Sequence, residues 1–274
     1  MTTNERDMYL DLLARVLTAD LYDESAWLAL NVSHWKGALN IAKNAVVRLL
    51  ATQRLALVRC DPFDPEASSQ GTRWPLFGYS MMGLERMRNL RECVETVVRE
   101  GVPGDLMEAG VWRGGGCIYM AAILKTLDVI DRTVWVADSF EGLPKPGGRS
   151  GMREADLSDH PYLEVSEEEV RANFARFGLL DADRVRFLKG WFKDTMPTAP
   201  VGSLAVLRLD GDLYESTIDV LRPMYPKVSP GGFVVVDDYF SWPGCRKAVD
   251  EYREANGIVA EMKRIDWTGA YWRK

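Results

Sequence analysis

The sequence predicts an α/β fold: a doubly wound, mostly parallel sheet, preceded by a helical stretch and closed by an antiparallel strand pair. Three observations carry this reading. From Asp105 onward, short apolar runs alternate with helical segments. Two of the runs, in Leu207-Arg-Leu-Asp-Gly-Asp212 and Val234-Val-Val-Asp-Asp238, end in acidic residues, as buried parallel strands do when they deliver carboxylates to the rim of a sheet. A third run ends at Glu108 and passes into a glycine-rich turn that opens a helix.

In chain order, Tyr9, Leu12, Leu13, Val16 and Leu17 fall at helical spacing and predict a first helix with that face buried. A second amphipathic helix is expected over 39–58, its Lys43, Arg48, Arg54 and Arg59 on a solvated face or against an anionic surface or partner. Residues 61–72, rich in Asp, Pro, Ser and Gly, read as a connector, and a third helix runs to about Glu100. Strands are expected at 106–108, 134–138, 185–188, 204–209 and 233–237, with a closing pair at 258–265 and 269–272. The polar stretch after Pro144 reads as a mobile loop of the kind that closes over bound substrate.

A chain of 274 residues, 47% hydrophobic and 27% charged, can bury a sizeable core. Its net charge of -6 argues against nucleic acid as a partner. The four cysteines form no C-x-x-C pair, so they read as buried thiols rather than a zinc site or disulfide framework. Neither an export signal nor a transmembrane segment is visible, and a cytoplasmic location is the expectation.

Two motifs carry chemistry. Asp105-Leu-Met-Glu-Ala-Gly-Val-Trp-Arg-Gly-Gly-Gly-Cys117 departs from the G-x-G-x-x-G dinucleotide fingerprint but fits E-x-G-x-x-x-G, a turn that cups the amino-acid end of S-adenosylmethionine. The second strand ends in Asp138, placed to accept both ribose hydroxyls of such a cofactor. The competing reading is that the glycines only permit close helix-to-strand packing. The second motif is acidic. Asp210, Asp212, Asp237 and Asp238 would crowd one sheet edge, where their mutual repulsion calls for a cation, and oxygen ligands suit magnesium or manganese. Asp210-Gly-Asp212 also reads as a turn and helix cap.

These phrases, together with Gly83-Leu-Glu-Arg-Met-Arg-Asn-Leu90, Val134-Trp-Val-Ala-Asp-Ser-Phe-Glu-Gly-Leu-Pro144, Phe187-Leu-Lys-Gly-Trp-Phe-Lys-Asp-Thr195 and Ser229-Pro-Gly-Gly232, resemble the metal-dependent O-methyltransferases of the macrocin, mycinamicin and novobiocin type, which act on antibiotic deoxysugars. The resemblance covers the first helix and then Tyr79 onward; the stretch from about Asp23 to Arg73 is longer and less familiar. It implies a class I methyltransferase (Rossmann-like) domain over 76–274, a lid over about 144–175, and an N-terminal helical extension over 1–75 that serves oligomer or substrate contacts. It implies S-adenosylmethionine held by Glu108, Gly110 and Trp112 at the methionine end, Asp138 and Ser139 at the ribose, and Gly190 and Trp191 at the adenine, with Tyr79, Ser80, Met81, Ala109, Val111 and Asp210 completing the shell. Asp210, Asp237 and Asp238 would hold magnesium and Asp212 would be the general base. A glycoside or glycan acceptor and a homo-oligomer, dimer or tetramer, are implied as well.

A catechol or phenol acceptor, a phosphate-handling magnesium enzyme and a non-catalytic binding protein are the competing readings; the second lacks a Walker-type Gly-Lys-Ser/Thr. His160 reads as a solvated loop histidine or a substrate contact, and Lys193 with Asp194 as substrate contacts or a surface pair. His34 is given no role.

Overall fold

A computed structural model describes residues 2–22, 27–29, 38–53, 55, 57–60 and 64–274. Helix α1 (Thr3–Leu17) is opened by a capping box between Thr2 and Glu5, which satisfies orphan N–H groups at both ends of the first turn. Its buried face is Leu10, Leu13, Ala14 and Leu17, whereas Tyr9 and Leu12 stay exposed. The expected face is therefore turned by one position. Leu13 and Leu17 belong to both candidate stripes, and only the tertiary partner chooses between them.

The expected helix over 39–58 divides. Strand β1 (Trp27–Ala29) pairs antiparallel with β2 (Val58–Cys60), and α2 (Ala38–Thr52) lies between them. The helix stops where Gln53 and Leu55 both donate to the Leu50 carbonyl. Arg48 is exposed as expected, but Ile41, Val46 and Leu49 face outward as well, so the surface of this helix is apolar in part rather than only basic. Arg54, the Arg59 side chain and His34 lie outside the described residues. The expected connector contains a helix, α3 (Pro65–Gln70), capped by Asp64, begun by Pro at its first position and ended by left-handed Gly71.

Helix α4 (Leu84–Arg99) leads into the sheet: β3 (Asp105–Ala109), α5 (Gly115–Thr126), β4 (Val134–Asp138), α6 (Glu167–Arg176), β5 (Val185–Lys189), α7 (Phe192–Thr195), β6 (Leu204–Leu209), α8 (Tyr214–Met224), β7 (Val228–Val236), α9 (Pro243–Ala255), β8 (Lys263–Arg264) and β9 (Ala270–Arg273). The order is β5-β4-β3-β6-β7-β9-β8, parallel through the first five strands and antiparallel at the last two pairings. The mixed α/β sheet with a C-terminal antiparallel pair is the predicted one. β7 starts earlier than expected because a register irregularity absorbs Pro230-Gly-Gly232. A Cβ at Gly232 would press on the Ala205 carbonyl oxygen at 2.8 Å.

Two apolar cores cover the two faces of the sheet, one built on α1, α4 and α5, the other on α8 and α9. β6 is buried at all six positions, which a strand in mid-sheet requires. Residues 139–166 carry neither helix nor strand, and α6 then returns Val170 and Phe174 to the core. Cys93, Cys117 and Cys245 are buried free thiols. Among the described residues, no helix is long and apolar enough to cross a membrane.

Candidate active site

Strand order reverses between β3 and β6, where the chain leaves in opposite directions and a crevice must open beyond the strand ends. The edge is tied by Gly110 N–H to the Ala137 carbonyl (2.9 Å), Asp210 N–H to Ala109 (2.8 Å) and Asp237 N–H to Leu209 (2.9 Å). A cleft of about 370 Å³ opens there, with Met81, Gly110, Trp112, Asp138, Ser139 and Trp191 on one wall and Asp210, Asp212, Glu215, Ser216 and Asp219 on the other.

Packing explains the glycines of the turn. Gly110 has φ 91°, and a Cβ there would overlap the carbonyl oxygen of Asp210; one at Gly116 would overlap the Glu108 carboxylate. Trp112 takes a left-handed φ of 47° without being glycine, a strain of the kind stored at ligand sites. Asp138 braces this turn: its Oδ2 accepts from Val111 N–H and its Oδ1 from Phe140 N–H, both at 2.8 Å. Burial nonetheless raises its pKa. Ser139 turns its hydroxyl to the Gly142 carbonyl (2.8 Å), and Gly190, at φ 133°, donates to the Asp138 carbonyl (2.9 Å).

Other predicted residues support the cleft from behind. Tyr79 and Ser80 donate their backbone N–H groups to Leu17, and Tyr79 accepts from Gly115 N–H. Ala109 and Val111 are buried. Glu108 does not line the cleft: it is 2% exposed, its Oε1 accepts from Arg208 Nη1 (2.6 Å), and its Oε2 has no partner among the described residues. Burial pushes its carboxyl up to about 7 against the opposing Arg208.

The acidic rim is a balanced network. Arg208, a charge inside an apolar strand and 1% exposed, bonds Glu108, Asp210 (3.0 Å) and Asp237. Arg86 of α4 bonds the other oxygen of Asp237 and reaches Asp266 at 2.9 Å. Burial alone would raise Asp237, but these two guanidiniums hold it below the ordinary carboxylate range. Asp210 is pushed up to about 6 by burial and by Asp237, and burial with the neighbouring acids lifts Asp238 well above the ordinary carboxylate range. One oxygen each from Asp210, Asp237 and Asp238 lie within 4.8 Å of one another. Two guanidiniums facing Glu108, Asp210, Asp212, Asp237, Asp238 and Asp266 leave excess negative charge, and an all-oxygen donor set fits a hard divalent cation.

Asp212 stands apart. Its backbone is left-handed (φ 55°), Leu213 N–H closes a tight turn onto the Gly211 carbonyl at 2.5 Å, and its own N–H donates to Asp238 Oδ2 at 3.3 Å. The left-handed bend thus falls on Asp212 rather than on the glycine before it; Gly211 instead makes room, since a Cβ would meet Ser216 Cβ at 2.9 Å. The Asp212 side chain caps no helix, because Leu213 holds the N-cap position of α8. Burial, then Asp210 and Asp237, lift its pKa well above the usual range. A raised, uncapped carboxylate beside a cleft suits a general base.

The family model described as Macrocin-O-methyltransferase (TylF) matches residues 6–274. The chain belongs to this macrocin O-methyltransferase family. It is similar to demethyldecarbamoylnovobiocin O-methyltransferase of Streptomyces niveus, 48% identical over 276 residues that span 100% of this chain and 95% of that protein. Mycinamicin III 3''-O-methyltransferase of Micromonospora griseorubida is 46% identical, covering 98% of this chain and 96% of the other. The solved O-methyltransferase NovP superposes with a TM-score of 0.83 at 46% identity, covering 98% and 99% of the two chains. The stretch 23–73, expected to depart from the family, falls inside these matched spans.

Within this family member, the structure also brings forward residues that sequence reasoning missed. Arg208 and Arg86 are the counter-ions of the rim; a lone arginine in Leu207-Arg-Leu209 was the legible signal, whereas Arg86 looks like any helix cation. Trp74, Tyr162 and Trp112 form an aromatic column, with Trp74 stacked on Tyr162 at 5.3 Å and Trp112 Nε1 donating to the Tyr162 carbonyl (2.8 Å). His160 packs edge-on against Trp74 at 5.2 Å, half-buried, so it is neither solvated nor in the cleft. Lys193 lines the cleft, and Asp194 stays exposed.

Proposed function

We propose that this chain is an S-adenosylmethionine- and magnesium-dependent O-methyltransferase acting on a sugar hydroxyl of a glycosylated natural product. The observation that carries the proposal is Asp212: a carboxylate with a raised pKa and no side-chain donor among the described residues, two positions after Asp210 in a trio of acids suited to a divalent cation. The names of two relatives, acting at the 3'' position of mycinamicin III and the 4' position of a rhamnosyl tetracenomycin, support a sugar acceptor.

In this reading Asp210, Asp237 and Asp238 would hold a cation that would acidify adjacent acceptor hydroxyls, and S-adenosylmethionine bound in the cleft would supply an electrophilic methyl carbon. Met81, Gly110, Trp112, Asp138, Ser139 and Trp191 form the cofactor wall, with Asp210 facing it from the opposite wall, Tyr79, Ser80, Ala109, Val111 and Gly190 fixing its backbone and Glu108 anchoring Arg208 beneath. Asp212 takes the hydroxyl proton during attack. Trp112, Leu143, Leu163 and Phe192 exclude water from the reacting atoms. Residues 144–166 of the expected 144–175 serve as the lid, because 167–175 form α6, which buries Val170 and Phe174 in the core. The exposed apolar residues Met8, Tyr9 and Leu12 of α1 and Ile41, Val46 and Leu49 of α2 support a homo-oligomer built through the N-terminal extension, residues 1–75; a single monomer mass in light scattering would refute it.

Isothermal titration tests the cofactor and metal together. Wild type binds S-adenosylmethionine and, separately, magnesium; Asp237→Ala with Asp238→Ala keeps the first signal and loses the second. Folded wild type that binds no S-adenosylmethionine would sink the proposal. Asp212→Asn, offered demethyldecarbamoylnovobiocin and mycinamicin III, loses about 10²- to 10⁴-fold in kcat if the acceptor is a sugar hydroxyl. Near-silence would favour a phenol, whose proton needs less help.

A further inference from the structure

We infer that Glu154, in the loop between β4 and α6, is a positioning residue that caps α8 and so holds the turn carrying Asp212. The functional half of this inference rests on Asp212 being the base; the cap itself does not.

Helix α8 begins two residues after Asp212, and its own N-cap residue, Leu213, has no side chain able to accept a hydrogen bond. The first N–H groups of a helix have no partner within it and need one from outside. Three successive amides are nevertheless satisfied here. Asp212 N–H goes to the Asp238 carboxylate, Leu213 N–H to the Gly211 carbonyl, and Tyr214 N–H to Glu154 Oε1 at 2.9 Å. The Asp210–Tyr214 turn is thus pinned at one end by a rim acid and at the other by a loop acid 60 positions earlier in the chain. A left-handed aspartate is held only while both flanks are fixed.

The seat for Glu154 is built. Its Oε2 accepts from the Ser150 hydroxyl (3.0 Å); Ser150 is 1% exposed, and its carbonyl accepts from Lys247 Nζ of α9 (2.5 Å). Gly244, in the first turn of α9, leaves the notch into which the carboxylate fits, because a Cβ there would overlap Glu154 Oε1. The same loop grips α8 further along. Arg149 N–H donates to Glu215 (2.6 Å), and the Arg149 guanidinium takes Asp219 in both oxygens (2.8 and 2.9 Å). Seating of the loop and placement of the turn are in this way linked, since withdrawing Glu154 from its notch removes the cap.

The test is a cycle of Glu154→Ala, Gly244→Ala and the double variant, with Glu154→Gln as the conservative control, read by hydrogen exchange at the Tyr214 amide. Each single alanine variant lowers protection there about tenfold, the size of a lost charged cap. Gly244→Ala acts chiefly by expelling Glu154, whose Oε1 lies 1.8 Å from the added Cβ, so the double variant stays close to Glu154→Ala; the remaining contact, Tyr214 N at 3.1 Å, asks only for a small shift. Glutamine, whose Oε1 still accepts, restores most of the protection. Trypsin cuts after Arg149 and Arg153 faster in both alanine variants, and S-adenosylmethionine affinity does not move. On whichever acceptor the wild type methylates, kcat per S-adenosylmethionine-binding site falls about tenfold in Glu154→Ala and returns in Glu154→Gln, which a smaller folded fraction, already counted out by the binding stoichiometry, would not produce. Unchanged exchange in Glu154→Ala, or a Gly244→Ala effect that persists in the Glu154→Ala background, would overturn the inference. If wild type methylates neither acceptor, the proposed reaction fails, while the exchange cycle still decides the cap.

Discussion

Replacing Arg208 by Met removes one cation and leaves three acids behind it. The side chain is 1% exposed and touches Glu108 at 2.6 Å, Asp210 at 3.0 Å and one oxygen of Asp237. Methionine fills a similar volume, so the loss is electrostatic rather than a cavity. Glu108, with its carboxyl near 7, is already partly protonated at neutral pH and carries little of the penalty; Asp237 keeps Arg86. The cost is then that of breaking a buried ion pair, about 3–5 kcal/mol. For 274 residues this lowers Tm by roughly 5–9 °C. The sign with pH follows from proton binding. Without Arg208 the folded-state carboxyl pKa values rise, the native chain binds more protons than the unfolded one, and stability is lost as pH rises through that interval. Thermal unfolding of wild type and Arg208→Met at pH 5 and pH 7.5 should show a small gap at the lower pH and the full gap at the higher. A variant as stable as wild type at pH 7.5, or a gap independent of pH, would refute the account of the rim as a charge-compensated network.

Magnesium should raise Tm more at pH 7.5 than at pH 5, because Asp210, with its carboxyl near 6, holds a proton at the lower value that competes with the cation, and burial with the neighbouring acids raises its co-ligand Asp238 as well; an equal shift at both would argue against binding at these acids. Gly110→Ala, which places a methyl on the Asp210 carbonyl at a left-handed φ, should destabilise by more than about 1 kcal/mol and displace β6 from β3, lowering both melting temperature and S-adenosylmethionine affinity; unchanged titration and melting curves would show that the turn has room to spare.

The sheet was legible because its strands are apolar runs of the right length, and β4 and β6 begin and end where the pattern changes. The acids at its rim were legible because buried strands rarely end in paired carboxylates without reason. The choice among buried faces of α1 was not legible, since neighbouring apolar residues satisfy two helical stripes equally, and packing against α5 breaks the tie. Division of the 39–58 segment into a helix and a strand required a partner strand from residues 27–29, a non-local pairing to which local sequence is blind. The role of Glu108 changed for a similar reason. A carboxylate before a glycine turn reads as a ligand contact, yet the third dimension places an arginine from β6 behind it. The sequence alone determined the family, the order of the strands' acids and the chemistry those acids can perform. Tertiary structure decided which charges are neutralised, which carboxylate is left without a donor, and that a loop acid distant in sequence caps the helix after it, because distance through space, not along the chain, sets each electrostatic energy.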